Sequence, residues 1–166
     1  ATEAGVIVMN TPGGNTIATA ELTFTHMLCG TRPVVRGVSS MKEGLWERKQ
    51  LKGAELRLKT LAILGLGRIG MEVAKRAKAF EMDVIAYDPF VNQAKIDLNI
   101  GSQTISVNIE LTSLDELLSQ ADFISLHVPM PNDGNALIGN DEFSKMKDGV
   151  RIVNASRGGV INEDAL

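Results

Sequence analysis

Cysteine is nearly absent from this chain: Cys29 is the only one in 166 residues. That excludes a disulfide framework and a thiolate metal site, and no metal site is expected. The apolar, helix-like stretch around Cys29 predicts a buried, inert thiol. An excess of positive charge is also missing. Net charge is −3 and no basic stripe occurs, so neither nucleic acid nor an acidic membrane surface is an expected partner. No apolar run reaches the length of a membrane span, and no signal peptide is visible. A reducing, cytoplasmic setting is the expectation. No internal repeat or low-complexity tract occurs. What the chain does have is 44% apolar residues, enough for one domain with a sizeable core.

The chain is organised around Thr60–Asp88. Leu61–Leu64 is a short apolar run of strand type, followed at once by Gly65-Leu66-Gly67-Arg68-Ile69-Gly70. From Arg68 to Phe80 the apolar residues Ile69, Met71, Val73, Ala74, Ala77 and Phe80 recur at helical spacing. Asp83–Tyr87 is a second strand-like run and ends on Asp88. Strand, glycine turn, helix, strand and acid, in that register, form a dinucleotide-binding unit. Gly65 allows the tight turn, Gly67 lets a pyrophosphate approach bare backbone, and Gly70 lets helix and strand pack closely. The helix start offers unpaired N–H groups and a positive dipole end to the phosphate. Asp88 stands where a carboxylate accepts hydrogen bonds from the adenosine ribose. A 2′-phosphate there would meet like charge, so NAD is expected rather than NADP.

Around this unit, Gly5–Met9 reads as a short strand and Asn10–Asn15 as turn chemistry. Asn15 or Thr16 is placed to cap a long helix through Ala18, Leu22, Phe24, Met27, Leu28 and Cys29, apolar on nearly all sides and so expected between layers or between subunits. Pro33 ends it, and a second helix is expected over Val34–Lys42. Leu45–Lys59 is a polar connector, with Trp46 folded onto its own domain in the plainer reading; in the other, Trp46 and Arg48 reach a neighbouring subunit. A helix-poor polar segment runs from Pro89 to Gly101. Gln103–Ile109 alternates as a strand does, and Ser113 with Glu116 forms a capping box for Leu114–Gln120. Asp122–Val128 is a strand stopped by Pro129, 131–134 a turn, Asp141–Lys147 a helix capped by Asn140, and Val150–Asn154 a strand. Asn162 is placed to cap a further helix.

Alternating strands and helices predict an α/β fold, a doubly wound parallel sheet of the Rossmann type. Five core strands are expected, at 61–64, 83–87, 103–108, 122–128 and 150–154, in the order 3-2-1-4-5. A sixth strand would be missing, so the fold is expected to be truncated at its C-terminal end. Strand 150–154 is then an exposed edge, and the chain alone should be poorly stable or associate.

Four motifs, VIVMNTPGGN (6–15), TLAILGLGRIG (60–70), DFISLHVP (122–129) and VNASRGGVINEDAL (153–166), resemble the D-isomer-specific 2-hydroxyacid dehydrogenases. The resemblance implies that 1–12 is the tail of a substrate domain and hinge, and 13–166 an incomplete NAD-binding domain. It implies cofactor contacts from Gly65, Gly67, Arg68, Ile69, Gly70, Asp88, Val128, Pro129, Ala155, Ser156 and Arg157. It also implies a homodimer or tetramer through the helix from Thr16. Arg157 matches the family's catalytic arginine, acting on a small-molecule 2-hydroxyacid. Its guanidinium offers a rigid fork of donors to a carboxylate and a neighbouring oxygen, and keeps its charge. The alternative makes Arg157 a surface cap after a strand. The family usually has Asp where this chain has Asn162. By the same resemblance, the general acid–base histidine and the glutamate that orients it lie beyond Leu166. His127 is expected in a structural or cofactor-wall role, His26 as a packing residue. Other readings on the same scaffold are a different NAD-dependent dehydrogenase or 2-ketoacid reductase and an NAD(H)-sensing, corepressor-like binding protein.

Overall fold

The computed structural model describes residues 1–131 and 133–166. Its elements in chain order are α1 (Thr16–Thr31), α2 (Val34–Lys42), β1 (Thr60–Leu64), α3 (Arg68–Ala79), β2 (Asp83–Tyr87), β3 (Ala94–Ile100), β4 (Gln103–Leu111), α4 (Leu114–Gln120), β5 (Phe123–Leu126), α5 (Asn140–Ser144) and β6 (Arg151–Asn154). Six strands form one sheet in the order β3-β4-β2-β1-β5-β6. All neighbours are parallel except β3 and β4, which pair antiparallel. The fold is mixed α/β, a mostly parallel Rossmann-type sheet.

Strand alternation explains the two faces. In β1, Leu61 and Ile63 point one way, into a core shared with Phe24 and Met27 of α1 and Val73, Ala74 and Ala77 of α3. Ala62 and Leu64 point the other way, against Leu117 and Leu118 of α4 and Ile124 and Leu126 of β5. The side chains of Leu61, Ala62, Ile63 and Leu64 are all fully buried, as a central parallel strand covered on both faces requires. Each such Leu or Ile stabilises the fold by roughly 1.5–3 kcal/mol. Phe24 stacks on Phe80 at 5.2 Å and fixes α1 to the end of α3. Glu72, bonded by Lys75 at 2.7 Å and Arg76 at 2.8 Å, holds the exposed side of α3 together.

Several expectations need correction. Gly5–Met9 is not a strand: Gly5 is left-handed, and Val6–Met9 run exposed with no partner strand among the described residues. The segment from Pro89 to Gly101 is not merely polar loop, because β3 lies within it and forms a sixth strand outside β4. Only one face of α1 is buried, through Ala20, Thr23, Phe24, Met27 and Thr31. Cys29 and His26 are therefore exposed rather than packed. Trp46 is 78% exposed and does not fold onto its own domain. At α5 the cap is Gly139, whose N–H donates to the Glu142 carboxylate at 2.9 Å. The residues after Asn162 form a turn, with Asp164 N–H donating to Asn162 Oδ1 at 3.1 Å, and not a helix.

Other expectations hold. α2 spans Val34–Lys42. Ser113 caps α4 by accepting from Glu116 N–H at 3.3 Å. Strand β6 is an edge, with Arg151 and Asn154 exposed and only Val153 well buried. The turn expected at 131–134 includes Asn132, which lies outside the described residues; Gly134 N–H donates to the Pro131 carbonyl at 3.0 Å.

Candidate functional site

The carboxyl ends of β1, β2, β5 and β6 meet along one edge of the sheet, where open α/β folds bind ligands. At the end of β1 the chain turns at Gly65, with φ +92. A Cβ on Gly65 would come within 2.7 Å of the His127 carbonyl oxygen and 2.9 Å of the Val128 side chain. One on Gly70 would run into the Gly65 carbonyl oxygen. Both glycines are thus fixed by close packing of the turn against β5 and α3. Gly67 differs: a Cβ there would meet nothing within 4 Å. Its surroundings are open space, as a site for an approaching phosphate requires. Gly67 is also the N-cap of α3. The first N–H groups of that helix, Arg68 and Ile69 among them, have no partner within it.

Asp88, half-buried after β2, ties this turn to the next loop. Its Oδ2 accepts from Leu66 N–H at 2.8 Å and its Oδ1 from Phe90 N–H at 2.9 Å. Each carboxylate oxygen has a further lone-pair site to offer a hydroxyl.

A cleft of about 350 Å³ opens here. Gly65 and Gly67 line it at the glycine turn. Tyr87, Asp88, Pro89 and Phe90, following β2, form one side, and His127, Val128, Pro129, Pro131 and Leu137, following β5, the other. His127 is mostly buried. Its Nε2 lies 2.7 Å from Ser125 Oγ, while Nδ1 is buried without a partner among the described residues. Burial pushes the imidazole down to about 4, so it is neutral at physiological pH.

The expected residues fall into three groups. Gly65, Gly67, Asp88, Val128 and Pro129 line the cleft together. Arg68, Ile69 and Gly70 start the helix behind the turn. Ala155, Ser156 and Arg157 lie one strand away, after β6, and do not line the cleft. Arg157 is exposed.

Asn154 was not singled out from the sequence, and it organises that last group. Its Oδ1 accepts from Ser156 N–H at 3.0 Å and from Ser156 Oγ at 2.7 Å, while its Nδ2 donates to the Arg157 carbonyl at 2.8 Å. An Asn closing a strand two residues before a serine is Asx-turn chemistry, and that was the available signal. Phe90 and Leu137 were also missed; nothing in local periodicity distinguishes a cleft-lining apolar residue from any other on the surface.

Glycine packing, the open approach at Gly67, the helix start and a carboxylate at the end of β2 fit the ADP portion of a dinucleotide. Residues 24–166 match the D-isomer specific 2-hydroxyacid dehydrogenase family in its NAD binding domain. The chain belongs to that family, within its NAD-binding domain, and NAD is its cofactor. It is 48% identical over its whole length to a D-3-phosphoglycerate dehydrogenase of Archaeoglobus fulgidus, covering 30% of that protein. It is also 48% identical over its whole length to a hydroxypyruvate reductase of Thermotoga maritima, covering 51% of that one. A solved NAD-dependent formate dehydrogenase from Staphylococcus aureus in complex with NAD aligns with a TM-score of 0.78 at 34% identity, over 92% of this chain and 44% of the other. The chain therefore spans 30% and 51% of the lengths of these two curated relatives.

Proposed function

We propose that the chain is the NAD-binding part of an oxidoreductase that converts 3-phospho-D-glycerate to 3-phosphohydroxypyruvate, the entry into serine synthesis, in the cytoplasm. The observation that carries this reading is the Leu66–Asp88 hydrogen bond. It joins phosphate turn and ribose acid into one unit at the sheet edge that also bears Arg157. Similarity to phosphoglycerate dehydrogenases supports the substrate, as does Ser40–Gly53 (SMKEGLWERKQLKG), which resembles the animal enzymes of that name.

The reaction removes a hydride from C2 and a proton from the 2-hydroxyl. NAD, when bound, supplies the hydride acceptor. The residues of this chain do the rest of what happens on this side of the site. Gly65, Gly67 and Gly70 admit the pyrophosphate, which Arg68 and Ile69 contact at the start of α3. Asp88 accepts from the adenosine ribose and repels a 2′-phosphate. Val128 and Pro129 would lie against adenine and ribose, and Ala155 and Ser156, outside that cleft, would meet the cofactor beyond its ADP portion. Arg157 holds the substrate carboxylate and C2 oxygen, and stabilises the negative charge that builds on that oxygen. The proton goes to neither histidine of this chain. His127 is too weak a base near neutrality and is engaged with Ser125, and His26 stands on α1 outside the cleft lining. In this reading the base, with its glutamate, lies outside the chain. Residues 1–12 are the end of a substrate domain and its hinge, and 13–166 the cofactor domain.

We further propose a homodimer or tetramer through α1. Exposed Ile17, Leu22 and Leu28 on that helix, with Val35, Val38 and Trp46 beyond it, support this. Light scattering on the full-length protein checks it; monomer alone would overturn it.

The second reading is a reductase acting on hydroxypyruvate, favoured by the equal identity to the Thermotoga maritima protein. The two ketoacids, 3-phosphohydroxypyruvate and hydroxypyruvate, differ by one phosphate. NADH oxidation by the full-length protein, with 3-phosphohydroxypyruvate and hydroxypyruvate in parallel, separates them. We expect kcat/KM at least tenfold higher for the phosphorylated ketoacid. Preference for hydroxypyruvate installs the second reading, and turnover of neither with NADH binding intact favours a binding protein.

A further inference from the structure

Strand β3 ends the sheet, with β4 as its sole neighbour among the described residues. A free strand edge is a template for another strand, and proteins ordinarily blunt it with lysine or proline, or cover it. β3 holds no proline, and its charges are Lys95 and Asp97, of opposite sign and two residues apart.

The hairpin fixes which backbone groups are free. It closes on the pair Ile100 and Gln103 over a two-residue turn, so Ile100, Leu98, Ile96 and Ala94 exchange backbone bonds with β4. Lys95, Asp97 and Asn99 then turn their N–H and C=O groups outward, and these groups make no other backbone bond among the described residues. Side chains at such alternate positions lie closer across the ladder. They do so here: Ser106 Oγ donates to Asp97 Oδ1 at 2.5 Å, and Thr104 Oγ1 to Asn99 Oδ1 at 2.9 Å. All three outward residues are exposed, and Lys95 joins no ion pair among the described residues.

A second copy of β3 fits this edge. Laid antiparallel about a two-fold axis at Ile96, it sets Lys95 opposite Asp97 of the copy, and Asp97 opposite Lys95 of the copy. These are the pairs that exchange both backbone bonds. Ile96 meets its own copy and Ala94 meets Leu98, so the apolar face of the sheet runs on across the axis. Moving the axis to Asp97 would oppose that carboxylate to itself, which is unfavourable. Lysine alone would repel a copy, whereas lysine two residues from aspartate selects one register of it.

We propose that β3 pairs with β3 of a second copy of this chain, centred on Ile96, joining two sheets edge to edge on a surface separate from α1.

Sedimentation of the full-length protein over a concentration series tests this, because each doubling of mass has its own dissociation constant. Asp97→Lys and Lys95→Asp each oppose like charges twice across the axis. Either should raise one such constant about tenfold or more, while a step through α1 stays where it was. Mixing the two variant proteins should restore association, because one strand is then acidic at both positions and the other basic at both. The double variant, Lys95→Asp with Asp97→Lys, should associate with itself as the unaltered protein does. Both positions are exposed, so melting temperatures should hold. An unaltered protein that stays monomeric, or whose steps ignore both substitutions, overturns the proposal. A loss that either the mixture or the double variant fails to restore also overturns it, since the two charges then do not face each other.

Discussion

Asn154 donates from its carboxamide to the carbonyl oxygen of Arg157 at 2.8 Å, and so closes the loop after β6 over its own strand end. The same carboxamide receives both hydrogen-bonding groups of Ser156. Arg157, exposed and with its Nη1 on the Ser156 carbonyl, owes its backbone position to a neighbour three residues earlier. Asn154→Asp keeps the acceptor but turns the donor into a charge facing a carbonyl. With Arg157 in its proposed catalytic role, kcat/KM of the full-length protein is expected to fall by about 10- to 100-fold, the scale of a small misplacement of such a group, by more than NADH affinity falls. A loss of NADH binding as large as the loss of kcat/KM would leave Arg157 no separate part in the reaction.

Gly70→Ala places a methyl group against the Gly65 carbonyl oxygen. The obstacle is backbone, so the turn must move. Destabilisation of about 1–3 kcal/mol is expected from overpacking, together with loss of NADH binding. Gly67→Ala is the contrast, because the added methyl meets no protein atom. It should leave the melting temperature nearly unchanged and still weaken NADH, by occupying the phosphate's approach. Equal effects of the two substitutions on stability would refute this division of roles.

Asp88→Ala should raise the Kd for NADH about tenfold or more, the scale of a hydrogen bond to a charged group. It should narrow the gap between NADH and NADPH as well. The substitution also strips the acceptor from Leu66 and Phe90 N–H, so a lower melting temperature is expected alongside. Titration with both dinucleotides and a thermal melt of the same sample measure the two parts separately.

Acid should act first through His127. Its value in the folded chain, about 4, lies below the ordinary 6.5, so the unfolded chain binds the extra proton between those limits. Stability from this residue is whole above pH 6.5 and declines by about 3 kcal/mol as pH falls to 4. Asp122 responds at lower pH. Burial opposes its ionisation, but Thr60 N–H at 2.9 Å and Lys147 outweigh that and hold it below the ordinary carboxylate range. Urea unfolding from pH 7 to 4 should show a shallower pH slope for His127→Gln. Identical slopes would mean that the imidazole is hydrated in the folded state.

Residues 60–88 were legible in the sequence because two periods and three glycines agree there, each with its own physical demand. Strand β3 was not, since Lys95, Asp97 and Asn99 make its exposed half look like loop. The missed signal was Gly101, which has φ +60 and opens a two-residue turn into β4, a hairpin marker. For α1, apolarity all around the helix says that it needs cover without saying which face receives it. Cys29 and His26 were misplaced for that reason. Within the site, the turn and its acid could be read directly, whereas Asn154 and Phe90 matter through partners brought close by the fold.

The bond from Leu66 N–H to Asp88 also bears on redesign. Retargeting such clefts to a 2′-phosphorylated dinucleotide invites replacement of the acid by a neutral or basic side chain. In this chain that exchange removes the turn's own acceptor as well as the charge proposed to repel the phosphate. Leu66 N–H, in a buried residue, would then need a new partner before any gain in selectivity could register. Cofactor preference and turn geometry are inherited together here, so switching the preference takes a coordinated pair of substitutions: one to greet the phosphate, another to hold the loop.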